Sequence, residues 1–395
     1  MRISERGKRM PPSPIRKLAP LADAAKAKKI KVYHLNIGQP DIETPPEVFD
    51  AIKNFKEKVL SYGPSGGLAQ LRLAIRDYFE PYGIDLDIDD IWITTGGSEA
   101  ILFSFLSICD PGDEIICFEP FYTNYNGFAV AASVKLVPIL TKVENGYRLP
   151  PREEIIKRIK KRTKAIIITN PNNPTGTVYT QEELYILSKI CEKYGLYLIS
   201  DEVYREFVYD GKVHTSALSL PKIQDRVIVV DSVSKRFSMC GARVGYLISR
   251  NRRVMKTVLK FAQARLCPPT IEQIGAIAAF KYMHRYIDSM IKEYENRRNT
   301  LYSLMTEIPG VIVKKPEGAF YMMPRLPVKN TERFTSWLLT DFSSSKETVM
   351  LAPASGFYAT RNRGRREVRI AYILKEEDLK RAAYLLKKAI KVYKE

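Results

Sequence analysis

A chain of 395 residues, 45% hydrophobic and 27% charged, can bury one large core or two unequal ones. It has no apolar run of bilayer-spanning length, no signal-peptide core, no C-x-x-C pair among five cysteines and no metal-ligand spacing among three histidines; membrane spans, disulfide frameworks, metal sites and His-based triads are set aside, and the cytoplasm is expected. The formal charge of +19 would suit nucleic acid, an anionic cofactor or acidic substrates, but the excess is dispersed through lysine-rich stretches such as 153–164 and 375–394, which read as solvated helix faces, so neither nucleic acid nor membrane is an expected partner.

In chain order, Pro11, Pro12 and Pro14 break any helix in the basic N-terminal segment and predict an extended arm, followed by a short helix over 18–29. The arm has too few apolar residues to fold alone, so it should drape over a neighbouring subunit or stay disordered. From Asp90 onward, apolar runs at 91–94, 114–118 and 165–169 alternate with helical patterns such as 100–108, the βαβ rhythm of a mostly parallel sheet. Thr180 and Glu183 form a capping box, the apolar period continues to Tyr194, Gly195 supplies the C-cap, and a strand over 196–200 follows. After strands at 227–230 and 244–248, a long helical region from 271 to about 307 leads into a smaller αβ domain. The expected division is an N-terminal arm and part of the small domain at 1–45, a large domain at 46–285 and a C-terminal small domain at 286–395.

Chemistry-bearing residues collect at the ends of predicted strands. Asn170-Pro-Asn-Asn-Pro-Thr-Gly176 cannot continue as helix or ladder and must turn with its amides displayed. The next strand ends in Ser200-Asp-Glu-Val-Tyr204 and the next in Asp231-Ser-Val-Ser-Lys235. One sheet edge therefore receives Asn173, Asp201, Tyr204, Ser232, Ser234 and Lys235, at the place where open α/β sheets hold ligands. Arg243 follows shortly; an amine beside hydroxyls and a fixed cation suits a phosphorylated aldehyde.

Further motifs accompany these: His34-Leu-Asn-Ile-Gly-Gln-Pro40, Tyr62-Gly-Pro-Ser-Gly-Gly67 with Leu71-Arg72, Thr94-Thr-Gly-Gly-Ser-Glu-Ala100, Pro111-Gly-Asp113, Arg243-Val-Gly-Tyr246 and Val368-Arg-Ile370. In order and spacing, from about 31 to 375, the chain resembles the class I and II aminotransferases, fold type I pyridoxal-phosphate enzymes, and among them the prokaryotic aspartate aminotransferases. The resemblance implies an α/β fold, with a large domain built on a mostly parallel sheet between helices plus a smaller αβ domain. It implies that Lys235 carries pyridoxal 5'-phosphate as a Schiff base and moves the substrate Cα proton. Asp201 would pair with the pyridinium nitrogen, Tyr204 and Asn173 with the ring O3′, and Tyr122 would stack on the ring. Gly97 and Ser98 at a helix N-terminus, Ser232, Ser234 and Arg243 would hold the phosphate. Arg369 would clamp the substrate α-carboxylate, with Gly38 and Asn173 beside it. Tyr62 would reach the cofactor phosphate of a partner subunit, making the unit a homodimer with shared active sites.

The implied reaction moves an amino group from an L-amino acid, aspartate first, to a 2-oxo acid such as 2-oxoglutarate by ping-pong chemistry, with no metal. Aromatic or alanine-like donors and C–S elimination share the fold, so they stay open. A transcription regulator built on the same body would need a DNA-binding module, for which the residues before the first motif are too few. Two positions depart from the family pattern. Ala242 stands where a bulky residue often precedes the arginine, and Ser98 stands where many aspartate-specific members have a lysine that receives the substrate's second carboxylate. That carboxylate, where the substrate has one, must then be read by Arg265 or by another cation outside the family's matching positions.

Overall fold

Alternate residues of the apolar runs face two different cores. Ile116, Phe118, Ile166, Ile168 and Leu198 pack into one cluster, while Ile115, Cys117, Ala165, Ile167 and Ile199 pack into another. A sheet buried on both faces needs such unbroken apolar runs, which is why these segments show no polar alternation.

The computed structural model describes residues 1–394. Among them the strands are β1 (Lys31–His34), β2 (Ile91–Thr94), β3 (Glu114–Glu119), β4 (Lys135–Leu140), β5 (Thr163–Thr169), β6 (Tyr197–Asp201), β7 (Val227–Ser232) and β8 (Gly245–Ile248). Four short ones follow: β9 (Tyr321–Met322), β10 (Glu347–Met350), β11 (Ala352–Pro353) and β12 (Val368–Ala371). The main sheet has seven strands in the order β2-β8-β7-β6-β5-β3-β4. Strands β3 to β7 pair in parallel, and β8 runs antiparallel to both β7 and β2. The remaining strands form a three-stranded sheet, β11-β12-β9, and a parallel pair of β1 with β10. The fold is therefore α/β with a mostly parallel central sheet.

The capping box forms as read: Thr180 accepts from the Glu183 N–H, and Gly195 ends the helix Gln181–Tyr194 in the left-handed region at φ 66°. Three expectations need correction. The N-terminal segment is not simply extended, because Ser4 caps a helix at Glu5–Arg9 and the prolines after it stop that helix rather than prevent it. The lysine-rich stretch 153–164 is helical only at Arg152–Ile156, since the following strand begins at Thr163 and claims its end. The long helical region divides into Thr270–Lys281 and Ile287–Thr306, with a 3-10 turn at Met283–Arg285; no Gly or Pro marks the break. The arm also lies on its own chain. Arg6 Nη2 donates to Ser133 Oγ at 3.0 Å, and Asn36 Nδ2 donates to the Ile15 carbonyl at 3.1 Å. Among the described residues no helix is long and apolar enough to cross a membrane, and no cluster of His, Cys, Asp and Glu could hold a metal ion.

One close approach sets the geometry of the sheet edge. The start of β8 passes the N-terminus of the helix Gly96–Ile108 so tightly that a Cβ on Gly245 would lie 2.5 Å from the Gly97 nitrogen and 2.8 Å from Gly96 Cα. Backbone, not a movable side chain, occupies that space. Gly245→Ala should accordingly destabilise the fold by about 1–3 kcal/mol, the usual cost of overpacking. An unchanged thermal unfolding midpoint in that variant would show that the two segments can separate without cost.

Candidate active site

The carboxyl ends of β5, β6 and β7, the Gly96–Ile108 N-terminus and the start of β8 surround a cavity of about 600 Å³. That volume lies within the range that holds a small ligand. Gly38, Gly97, Ser98, Tyr122, Asn173, Asp201, Tyr204, Ser232, Ser234, Lys235, Arg243 and Arg369 all line it. Tyr62 does not; it lies outside the cavity of its own chain and is exposed.

Lys235 sits in the short helix Val233–Arg236, whose N-cap Ser232 accepts from the Ser234 N–H at 3.3 Å. Its Nζ donates to the Gly38 carbonyl at 2.7 Å and lies 3.4 Å from Cys240 Sγ. The amine thus reaches the cavity from a turn fixed to β7.

Asp201 closes β6. It is buried, and the Tyr125 hydroxyl donates to its Oδ2 at 2.9 Å while also meeting Thr169 Oγ1 at 2.7 Å. Burial pushes its carboxyl up to about 7, against the lowering effect of the Tyr125 and Val203 hydrogen bonds. A carboxylate in that position favours a cation beside it. A protonated pyridine nitrogen is one, so Asp201 fits the ring that the sequence motifs imply.

The phosphate end fits as well. Arg243 takes the left-handed conformation at φ 52°, its Nη1 donates to the Cys240 carbonyl at 2.8 Å, and its guanidinium lies against Gly96, where a Cβ would be 2.9 Å from Cζ. A helix N-terminus with unpaired N–H groups, an arginine and the Ser232 and Ser234 hydroxyls together form a dianion cradle. Tyr122 stands on the wall, its phenol pushed up to about 12 by burial and the nearby Asp201 charge. The Tyr204 hydroxyl is 2.8 Å from that of Tyr321, and burial holds the Tyr204 phenol well above its ordinary value.

Arg369 is buried on β12, where Nη1 donates to Asn173 Oδ1 at 3.1 Å and Nη2 to the Asn36 carbonyl at 2.6 Å. Its guanidinium stacks 4.3 Å from the Tyr321 ring centroid, and its Nε finds no partner. A planar cation held this way and still short of one acceptor suits a carboxylate. Arg265 lies elsewhere. Its Nη2 donates to the carbonyls of Ser65 and Ile93, and its Nε is 3.3 Å from Glu99. It is absent from the cavity wall, because at the end of its helix, Arg252–Arg265, it is turned to these partners and its charge is already paired.

The motif reading also missed residues that the fold brings in. Tyr125 and Thr169 hold Asp201, Tyr321 partners both Tyr204 and Arg369, and Ser13, Ile15 and Arg16 of the arm reach the mouth. Thr169 was findable as the last residue of its strand. The others carry no local signal, since only long-range packing delivers them.

Comparison with known proteins shows the family and the fold. The family model described as aminotransferase class I and II matches residues 30–386. An aspartate aminotransferase of Bacillus subtilis is 33% identical over 99% of both chains, and an aromatic-amino-acid aminotransferase 2 of Thermococcus litoralis is 33% identical over 99% of both. The solved structure of an alanine aminotransferase from Pyrococcus furiosus superposes with a TM-score of 0.90 at 33% identity, covering 99% of this chain and all of the other.

The buried Asp201 gives a measurable consequence for the ligand-free chain. Its folded pKa is raised, so its contribution to stability is complete below the unfolded carboxylate range and is lost as the pH climbs through about 7. Ligand-free Asp201→Asn should therefore gain on the ligand-free parent between about pH 5 and about pH 8, by roughly 2–3 kcal/mol. Urea unfolding of both at each pH tests this, and a difference that does not change with pH would contradict it.

Proposed function

Because the chain belongs to the class I and II aminotransferases, pyridoxal-phosphate-dependent transaminases, we propose that it moves the amino group of aspartate to 2-oxoglutarate in two half-reactions of ping-pong form. The reading rests above all on the cavity's charge: cationic side chains line it in excess of what a single carboxylate and a phosphate need, with Asp201 the one carboxylate among the lining residues. The aspartate aminotransferases among its relatives support the same donor.

Bound pyridoxal phosphate would supply an electron sink for the pair left when an amino acid loses its Cα proton. Asp201 would keep a proton on the ring nitrogen, the charge partner its buried carboxylate lacks in the ligand-free chain. Tyr204 and Asn173 would donate at the ring oxygen, and Tyr122 would cover one face. Arg243, Ser232, Ser234 and the Gly97 and Ser98 N–H groups would fix the phosphate. Arg369 would orient the α-carboxylate, supported by Asn173 and by the Gly38 backbone. Lys235 would hold the cofactor covalently, and its amine would be the base that takes the proton from the substrate Cα. Gly38 O, 2.7 Å from Nζ, holds that amine at the cavity.

A second reading, an aromatic donor, draws on the wall itself, where Tyr122, Tyr321, Ile15 and Ile37 offer apolar surface, and on the Thermococcus litoralis relative. With 2-oxoglutarate as acceptor, glutamate formation should be fastest with aspartate, and Lys235→Ala should lower it by roughly a hundredfold or more. A preference for phenylalanine or tyrosine would favour the second reading, while near-normal turnover in Lys235→Ala would remove that residue from its role.

The exposed Tyr62 supports a homodimer in which each subunit completes the phosphate site of the other. Lys235→Ala and Tyr62→Ala proteins, each impaired alone at limiting cofactor, should recover activity when mixed dimers form, because every mixed dimer then holds one intact site. Absence of recovery in mixed dimers verified by mass would refute the shared site.

A further inference from the structure

The cations that line the cavity are Arg16, Lys235, Arg243 and Arg369. Three have work in the proposed reaction. Lys235 reaches Gly38 from its turn, Arg243 lies against Gly96, and Arg369 is buried on Asn173 and Asn36. Arg16 is exposed, and among the described residues its guanidinium has no hydrogen-bond or ion-pair partner.

Its backbone, by contrast, is fastened on both sides. Pro14 fills the space beside Gly356, where no Cβ could fit. Ile15 packs on the cluster of Met323, Phe357 and Tyr358, and its carbonyl accepts from Asn36 Nδ2 at 3.1 Å. Lys17 pairs with Glu332. Asn36 also gives its own carbonyl to Arg369 at 2.6 Å, so one residue ties the α-carboxylate clamp to the segment that carries Arg16.

From this placement we propose that Arg16 is the specificity-determining cation that receives the second carboxylate of a dicarboxylic substrate. The proposal rests on the aspartate reading and supplies its missing residue. Ser98 brings no charge to the wall, and Arg265 is bound to Glu99 and two carbonyls outside it. Solvent exposure is what such a group requires: a guanidinium buried without an anion would be costly, whereas one at the mouth stays hydrated until a carboxylate arrives. The fork then binds the carboxylate bidentately. Asn36 ties the backbone that carries Arg16 to Arg369, so the reach of the Arg16 side chain limits how far apart the two carboxylates can stand.

Calorimetric binding of maleate, an unreactive dicarboxylate, and of propionate to the cofactor-loaded enzyme tests this directly. Arg16→Ala should weaken maleate about 10- to 100-fold, the scale of a charge-assisted pair, and leave propionate within about twofold. Arg16→Lys should recover part of the loss. In stopped-flow half-reactions, Arg16→Ala should raise the half-saturating aspartate concentration and spare alanine. An exposed side chain can be removed without unfolding the chain, and an unchanged melting temperature controls for that. If the parent prefers maleate and Arg16→Ala keeps that preference, or loses both ligands equally, Arg16 is not the reader although the aspartate reading stands. If the parent binds maleate no better than propionate and does not favour aspartate over alanine, both readings fall.

Discussion

Arg236 follows Lys235 directly and is fully buried, with Nη2 2.7 Å from Asp231, Nε 2.8 Å from Glu206 and Nη1 donating to Tyr246 at 2.9 Å. The three partners come from β7, from the segment after β6 and from β8. One guanidinium therefore locks together the elements that end at the cavity, and Lys235 cannot move without moving it. Removing the Arg236 guanidinium would strand the buried carboxylates of Asp231 and Glu206, at about 3–5 kcal/mol. Tyr78, whose hydroxyl donates to Glu206 and whose ring lies 4.5 Å from the Arg236 guanidinium, extends the lock to the helix Ala69–Phe79. The Lys235 amine thus projects from a frame held by ion pairs rather than from a loop.

Charge is distributed across the cavity in a way the frame makes possible. Asp201 lies deep, fixed by Tyr125, and Arg243 and Arg369 stand at separate walls, each held by backbone carbonyls or amides. Carbonyl and amide partners fix a guanidinium without neutralising it, which leaves the full charge for an anion. Had carboxylates held Arg243 and Arg369, as Asp231 and Glu206 hold Arg236, the cavity would offer little attraction to a phosphate or a carboxylate.

Most of the frame was legible from sequence because its signals are local. Apolar runs between turn residues marked the parallel strands, the Thr180 and Glu183 pair marked a helix start, and the three strand-end clusters fell on one edge once the strands were parallel neighbours. What escaped is non-local. The break near Tyr282 has no Gly or Pro, Tyr321 enters from a two-residue strand, and the arm reaches the cavity through Pro14 against Gly356 and Ile15 against Asn36. Arg265 misled for the same reason. Its neighbourhood in the sequence suggested the site, whereas its partners, Ser65, Ile93 and Glu99, are visible only once the helix is docked.

The antiparallel run of β8 has a consequence for how the cavity comes together. Because β8 turns straight back along β7, Ser232 pairs with Gly245 across a short connection, and Lys235 and Arg243 both lie inside it. The contact between Arg369 and Asn36 instead joins positions 333 apart. By the logarithmic dependence of loop closure on length, the second contact carries roughly 3 kcal/mol more chain entropy than the first. The side of the cavity that carries Lys235 and Arg243 is thus entropically cheap to assemble, and the side that carries Arg369 draws together segments far apart in the polypeptide.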